Sequence, residues 1–334
     1  MNRRAFIGTL AGGLLAAPLA AEAQTPGLMQ RVGYVTSNPR TANVDAFEQR
    51  LRDLGYAIGQ NLAVEYRFAE GHADRVPALV DELLRLKIYV LFATSAYAIG
   101  AAKQASSTMP IVGVDLETDP VDAGWVKSLA RPGGNVTGFF LDMPELGGKL
   151  LEFLREAIPR IQRVAVLWDA QLATAQFKAT ESAAQAGGFG LQSLLFREPQ
   201  GLAAAFEAAR RQKAQALVLL SSPSVFLHLK RLGDLALQYR LPAISVFPQF
   251  ASAGGLMGYG PDLTDLFRRA ANYVDRILKG TNPADLPIQR PAVFKLAVNM
   301  KTAKALGLTM PPSLLQRADQ VKPSGRSQRE RSLG

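Results

Sequence analysis

The 334-residue sequence contains no cysteine and only two histidines, His72 and His228. The lack of cysteine excludes a disulfide framework, a thiolate metal site, an iron–sulfur cluster, a cysteine nucleophile and a lipid-modified bacterial N-terminus. Two histidines so far apart do not favour a zinc enzyme, and a Ser-His-Asp hydrolase would have to use one of them. The G-x-S-x-G, P-loop and H-E-x-x-H motifs are also missing. We therefore predict a protein without catalytic residues, metal or cofactor, and an α/β hydrolase is the less favoured alternative.

The central part of the chain carries only a small excess of positive charge. The formal charge of +10 includes +1 from residues 1–23 and +3 from residues 322–334, which leaves about +6 for the centre. No run of Lys and Arg is interleaved with aromatic residues, as it is in nucleic-acid-binding proteins. We expect no nucleic-acid partner, and we predict that residues 321–334 form a disordered basic tail.

The longest apolar stretch lies at the N-terminus. Residues 1–23 contain the pair Arg3-Arg4, an apolar segment over residues 8–21 and an Ala-Glu-Ala sequence ending at Ala23. This is the pattern of an export signal, and the paired arginines followed by Ala-Phe-Ile resemble the twin-arginine variety. The apolar segment is shorter than the roughly 20 residues that a membrane-spanning helix needs. The sequence predicts cleavage after Ala23 and a soluble protein in a Gram-negative periplasm.

Short apolar runs alternate with amphipathic stretches from Arg31 onward. Two series of strand candidates occupy residues 32–35, 62–68, 88–93 and 111–114, and then residues 163–168, 189–196, 215–220 and 243–246. Helical patterns fill the gaps, as at residues 73–86, 172–187, 202–211 and 225–239. This alternation predicts an α/β fold with two doubly wound parallel-sheet lobes, each covered by helices on both faces.

A Gly/Pro-rich passage at residues 131–135 separates the two series and marks a boundary between lobes. The later helix at residues 263–278 and strand at residues 293–298 are too little for another domain, so we expect them to complete the existing lobes. We predict that lobe I comprises residues 31–138 and 258–290, and that lobe II comprises residues 139–257 and 291–320. Three crossovers would then join the lobes, with hinges near residues 137–141, 254–258 and 291–293.

Ligands bind to open parallel sheets beyond the carboxyl ends of the strands. The candidates at these positions in the first series are Thr36, Ser37, Thr94, Ser95, Asp115 and Asp119, with Glu117 between the last two. The candidates in the second series are Trp168, Asp169, Ser221, Ser222 and Phe247, and Tyr259 is added from the glycine-rich segment. Thr94 and Ser95 precede a helix and form the best cradle for an anion. Hydroxyls, carboxylates and aromatic rings suit a small polar or zwitterionic ligand.

Several candidates also have a purely structural interpretation. Helix capping is the alternative for three serines: Ser95, Ser221 and Ser222. Asp119 could be a helix cap followed by Pro120 at the first helical position. Trp168 could stack on a ligand or pack at the lobe interface. Tyr259 could line the cleft or pack beside a crossover, and we expect the two histidines to be surface or helix residues.

Four motifs point to a known family. They are Asp119-Pro120-Val121, the string SLARPGGNVTG at residues 128–138, GLMGYG at residues 255–260, and the closing stretch at residues 299–308. Together, over about residues 31–321, they resemble the substrate-binding protein family of ABC transporters that includes tryptophan and tyrosine binders. The resemblance implies a type I periplasmic binding protein fold with two lobes and three crossovers, and it adds weight to Thr94, Ser95 and Asp119. The chain departs from the family pattern at residues 93–95 and 115–119.

The resemblance also implies a function without chemistry. The lobes would close by hinge motion on a small solute, with an amino acid or related small carboxylate as the best guess, and the closed form would dock on an ABC permease in the inner membrane. We expect a monomer. A sensor that docks on a receptor is an open alternative. A repressor of similar architecture would need a DNA-binding helix-turn-helix where the export signal stands.

Overall fold

The computed structural model describes residues 29–141, 145–196 and 199–323. The predicted export signal and residues 324–334 of the predicted tail lie outside the described residues. Within the described ranges, no helix combines the length and the hydropathy needed to cross a membrane.

The first lobe is built on a five-stranded parallel sheet with strand order β2-β1-β3-β4-β5. Its strands are β1 (Gln30–Thr36), β2 (Leu62–Phe68), β3 (Val90–Thr94), β4 (Ile111–Asp115) and β5 (Val136–Phe140). Its early helices are α1 (Ala42–Asp53), α2 (Val76–Arg85) and α3 (Ala96–Ala105). The inner strands β3 and β4 are wholly buried, because helices cover both faces of the sheet.

The second lobe is built on a seven-stranded sheet with strand order β12-β11-β10-β9-β8-β6-β7. Its strands are β6 (Arg163–Trp168), β7 (Gly190–Leu195), β8 (Ala216–Leu219), β9 (Ala243–Ser245), β10 (Met257–Pro261), β11 (Phe294–Asn299) and β12 (Gln320–Lys322). All neighbours are parallel except β10 and β11. The remaining helices are α4 (Glu145–Ala157), α5 (Thr174–Ala186), α6 (Leu202–Arg211), α7 (Pro223–Leu227), α8 (Leu229–Gln238), α9 (Gln249–Ser252), α10 (Leu263–Leu278), α11 (Met300–Ala305) and α12 (Pro312–Arg317).

Helix α10 returns to the first lobe, where it packs against α1 and the β3 and β4 strands. Phe267 on α10 meets Phe92 of β3 edge to face, with ring centroids 5.4 Å apart. Asp262 caps the helix by accepting the N–H groups of Thr264 and Asp265. The chain therefore passes between the sheets three times: after β5, between β10 and α10, and before β11. The predicted α/β architecture of two lobes is confirmed.

The second crossover differs from its predicted place. Residues 258–261, which the sequence assigned to lobe I, belong to β10 and pair with β9 and β11 in the second sheet. The glycines of this segment serve close packing: a Cβ on Gly258 would lie 2.3 Å from the Phe247 carbonyl oxygen, and one on Gly260 would lie 1.7 Å from that of Val246. The glycine-rich sequence that suggested a hinge near residues 254–258 is instead needed for a tightly packed strand.

The start of the predicted tail also differs. Residues 320–322 form the edge strand β12, which pairs with Ala297–Asn299. The backbone N–H of Asp319 donates to the Leu296 carbonyl, and the Asp319 carboxylate accepts the N–H of Leu296. This reciprocal pair fixes the chain beside β11, so the ordered structure extends past the predicted boundary at residue 321.

Candidate functional site

The carboxyl ends of β1, β3 and β4 face those of β8 and β9 across a cleft between the lobes. An inner cavity of about 80 Å³ lies at this place. One water molecule needs about 10–15 Å³ of cavity volume. The inner cavity therefore has room for roughly six water molecules or for a small metabolite. Its polar lining residues are Thr36, Asn38, Thr41, Asn43, Thr94, Ser95, Asp115, Glu117 and Ser222. Its apolar and aromatic lining residues are Tyr34, Pro39, Val114, Leu116, Pro223, Phe226, Phe247, Leu263 and Phe267.

Two buried carboxyl groups lie side by side in the inner cavity. Asp115 is the last residue of β4 and is 1% exposed; its Oδ2 accepts the N–H of Thr118 at 2.9 Å, while its Oδ1 has no hydrogen-bond partner. Glu117 lies beside Asp115 and accepts the hydroxyl of Ser221, from the other lobe, at 2.5 Å. Burial raises the pKa of Glu117 well above its usual value, and the charge of Asp115 acts in the same direction. The pair is therefore a buried acidic site in which one carboxylate oxygen lacks a hydrogen-bond donor.

The loop between β3 and α3 forms a second polar wall. Ser95 has a positive φ of 98°, a strained conformation for a residue with a side chain. Its Oγ accepts the N–H of Ala98 at 3.4 Å and lies 3.1 Å from the Ser37 hydroxyl oxygen. Ser95 is thus a helix cap and a cavity residue at once, so its two interpretations are compatible. The positive end of the α3 dipole points at this wall and favours an anionic group.

Aromatic rings close the other sides of the inner cavity. Phe226 and Phe247 of the second lobe meet at 5.0 Å in a T-shaped pair. Tyr34 packs edge to face on Phe92 at 5.2 Å, and burial raises its pKa, so its hydroxyl stays neutral at physiological pH. These rings offer an apolar surface opposite the carboxyl pair.

An outer cavity of about 520 Å³ continues from the inner one and shares Asn38 and Pro223 with it. The hydroxyl of Tyr97 in the first lobe donates to Oε1 of Gln171 in the second at 3.0 Å. Asp169 lies in the same cavity, and burial raises its pKa.

Deeper in the cleft, Gln176 of α5 bonds both lobes. Its Nε2 donates to the Leu116 carbonyl at 2.9 Å, and its Oε1 accepts the N–H of Ser221 at 3.2 Å. Ser221 in turn donates its hydroxyl to Glu117. The loop that carries the acidic pair is thereby hydrogen-bonded to the second lobe.

The structure brings together most of the candidates named from the sequence. Six of them line the inner cavity: Thr36, Thr94, Ser95, Asp115, Ser222 and Phe247. Ser37 and Asp169 line the outer cavity, and Ser221 lies behind Glu117. Ser222 also caps α7 by accepting the N–H of Val225 at 3.1 Å. Their roles in binding stay predictions.

Three candidates lie away from both cavities. The Trp168 indole stacks on Phe177 at 4.2 Å and donates to the Ser193 hydroxyl at 2.8 Å. These contacts lie within its own lobe, because Trp168 ends β6 on the face that α5 covers. Asp119 accepts the N–H groups of Val121 and Asp122 and caps the turn at Pro120. Tyr259 lies between the rings of Phe153 and Phe294, at 4.9 and 6.0 Å.

Several lining residues were absent from the candidates. Asn43, Phe226 and Phe267 come from helices, so a search restricted to strand ends cannot find them. His72 and His228 line neither cavity. In the part of the chain that the structure describes, no cluster of three or more His, Asp and Glu side chains could hold a metal ion.

Comparison with known proteins identifies relatives of the whole two-lobed unit. The family model described as ABC transporter substrate binding protein matches residues 32–322. A tyrosine-binding protein of Clostridioides difficile (strain R20291) is 23% identical over 269 residues, which are 78% of this chain and 75% of the relative.

Two solved structures share the fold. A conserved domain protein of Vibrio cholerae has 25% identity and a TM-score of 0.80, covering 88% of this chain and all of that chain. An ABC domain in complex with L-Trp, from Streptococcus pneumoniae, has 20% identity and a TM-score of 0.79, covering 87% and 99%. The match to the family model spans both lobes and the loops that line the cavities. The chain therefore belongs to the ABC transporter substrate-binding proteins, which bind solutes and are not enzymes.

Proposed function

We propose that the protein captures a small solute with a protonated amine, with an aromatic amino acid as the first candidate, and delivers it unchanged to a membrane permease. The observation that carries this proposal is that Asp115 lines the inner cavity and that its buried Oδ1 has no hydrogen-bond partner. A buried carboxylate oxygen without a partner is costly unless a ligand supplies the missing donor. None of the described lining residues of the inner cavity is Lys, Arg or His, so the cation has to come from the solute.

The rest of the inner cavity suits the other groups of an amino acid. Thr94 and Ser95, at the N-terminus of α3, offer hydroxyls and the positive end of the helix dipole to a carboxylate. The Phe226 and Phe247 rings offer an apolar surface to a side chain. The names of two relatives, one a tyrosine-binding protein and one a domain in complex with L-Trp, support an aromatic side chain.

Capture would depend on closure of the lobes. The polar groups come mainly from the first lobe and the Phe226 and Phe247 rings from the second, so full burial of the solute requires both. The twin-arginine-like segment at residues 1–23 supports export to the periplasm, where a monomeric binding protein would meet its permease.

A series of related solutes tests the proposal on the wild-type protein. Isothermal titration calorimetry would compare L-tryptophan and L-tyrosine with indole-3-propionate, which lacks the amine, and with L-alanine, which lacks the ring. We expect the amino acids with rings to bind best, and removal of the amine to cost about 100-fold, the equivalent of about 3 kcal/mol for a buried ion pair. Binding of indole-3-propionate as tight as that of L-tryptophan would contradict the proposal.

A further inference from the structure

We propose that the Asp115–Glu117 pair receives the amine with a single negative charge: Asp115 is the anion, and Glu117 is a neutral acid whose proton is bonded to Asp115. This inference rests on the proposed function and refines it by assigning different roles to the two carboxyl groups. It makes Asp115 the contact for the solute and Glu117 the residue that positions it.

No described residue that lines the inner cavity supplies a cation to compensate the pair. Both carboxyl groups are buried in one loop, and two adjacent buried carboxylates cannot both ionise without a large electrostatic cost. Among the described residues, the other titratable groups near the pair are Tyr97 of α3, Tyr34 of β1 and Asp169 of the second lobe, none of them basic. Arg40, near the cavity mouth, is already paired with two carboxylates of α1. One proton on the pair removes the repulsion.

The carboxyl groups of Asp115 and Glu117 have different hydrogen-bond partners. Asp115 accepts the N–H of Thr118 on Oδ2, and its buried Oδ1 has no hydrogen-bond donor. Glu117 accepts the Ser221 hydroxyl on Oε1 and lies beside Asp115. A bond between two carboxyl groups needs a proton from one of them, and Glu117 is the one whose pKa burial raises. Glu117 then donates once and accepts once, which completes the chain of hydrogen bonds from Ser221 to Asp115.

A single negative charge on the carboxyl pair matches the single positive charge of the solute's ammonium group. A pair with one proton carries a charge of −1, which balances the +1 charge of one ammonium group, so the filled site is neutral at this end. A doubly ionised pair would leave a net negative charge buried after the solute binds. The hydrogen bonds from Ser221 and Gln176 tie the loop to the second lobe. The neutral acid therefore holds Asp115 in place as the lobes close.

The pH dependence of stability tests the shared proton on the protein alone. A carboxyl group whose pKa is raised in the folded state destabilises the fold increasingly as the pH rises above the ordinary glutamate pKa of about 4.3. The amide introduced by Glu117→Gln would keep both hydrogen bonds and has no proton to lose. We expect the melting temperature of Glu117→Gln, relative to wild type, to rise between pH 5 and pH 8, by roughly 2 °C or more. A difference that stays constant or falls over this range overturns the inference.

Binding tests the two roles separately, with L-tryptophan and L-tyrosine as probes. We expect Asp115→Asn to weaken binding about 100-fold and Glu117→Gln only a few-fold at pH 7. Asp119→Asn is the matched control, since it lies in the same loop outside the cavity and an asparagine can keep the cap. Equal losses for Asp115→Asn and Glu117→Gln would overturn the assignment.

A third measurement covers variants that fail to fold. Infrared spectroscopy of the wild-type protein at pH 7 should contain a carboxylic acid C=O band, and its absence would overturn the inference. If the wild type binds none of the amines, the proposed function fails, while the stability and infrared measurements still decide whether Glu117 holds a proton.

Discussion

The two lobes contribute different chemistry to the inner cavity. The first lobe supplies both carboxyl groups, Asp115 and Glu117, and most of the polar groups, together with apolar surface such as the rings of Tyr34 and Phe267. The second lobe supplies mainly the rings of Phe226 and Phe247. Charged groups fix position and orientation, whereas apolar surface adds affinity without strict direction. If the proposed function holds, we expect a solute to be recognised first on the first lobe and then enclosed by the second.

The lobes can be followed separately because each contains one of the two tryptophans. Trp125 packs near Phe140 in the first lobe, with ring centroids 6.0 Å apart, and Trp168 stacks on Phe177 in the second. Single-tryptophan variants, Trp125→Phe and Trp168→Phe, would report the unfolding of one lobe at a time.

The largest expected effect is damage confined to the second lobe. Gly258→Val would press a side chain on the backbone of Phe247 and Pro248, at 2.3 and 2.7 Å from the new Cβ. We expect the free energy of unfolding to fall by about 3 kcal/mol. Urea unfolding monitored by Trp168 should shift to lower concentration, and that monitored by Trp125 much less. The control is Gly201→Ala, which has no atom within 4 Å of the new Cβ. Equal shifts of both tryptophan signals would show that the lobes unfold as one unit.

Removal of one second-lobe ring should weaken binding less than loss of the first-lobe carboxylate. For Phe226→Ala we expect about a tenfold loss of affinity, because roughly 1.4 kcal/mol of apolar burial is removed. Calorimetry with L-tryptophan measures this, and Leu237→Ala, an exposed residue of α8, serves as control. A loss as large as that of Asp115→Asn would mean that apolar contact contributes as much as charge to recognition.

The contact across the mouth of the cleft should have a smaller effect. Tyr97→Phe removes the hydrogen bond to Gln171 and keeps the ring. One such bond contributes about 1 kcal/mol or less at an exposed position, so we expect affinity to fall by a factor of about five or less. Stopped-flow fluorescence should locate the change in the dissociation rate. An unchanged dissociation rate would mean that this hydrogen bond does not contribute to closure of the lobes.

The smallest expected effect concerns the ion pair beside the second crossover. Burial opposes ionisation of Asp262, but the hydrogen bond and charge of Lys295 outweigh it and lower the pKa of Asp262. A lowered pKa stabilises the fold above the ordinary aspartate pKa of about 3.9, and this contribution disappears as the pH falls through the lower value of the folded state. Lys295→Met should lower the melting temperature by about 1–2 °C at pH 7 and by less at pH 3. A pH-independent shift would assign the loss to packing.

The strand-end candidates could be predicted because parallel neighbouring strands bring their carboxyl ends to one edge. This placed Thr36, Thr94 and Asp115 together although they are far apart in sequence. Phe226 and Phe267 were missed, because they approach the cavity only through the packing of α7 and α10. The packing of Trp168 could not be derived, since it depends on which helix covers that face of β6. The second crossover was misplaced because a glycine needed for close packing has the same sequence signature as one in a hinge.

The return of α10 to the first lobe has a consequence for the order in which the protein is made. Phe267, Asn272 and Asp275 contact Phe92, Arg50 and Tyr56, so the hydrophobic face between α1 and β3 stays uncovered until α10 leaves the ribosome. By then the strands β6 to β10 have already been synthesised. The N-terminal lobe, first in the chain, is thus among the last parts to be completed, and a fragment ending at β10 would expose apolar surface to any chaperone present.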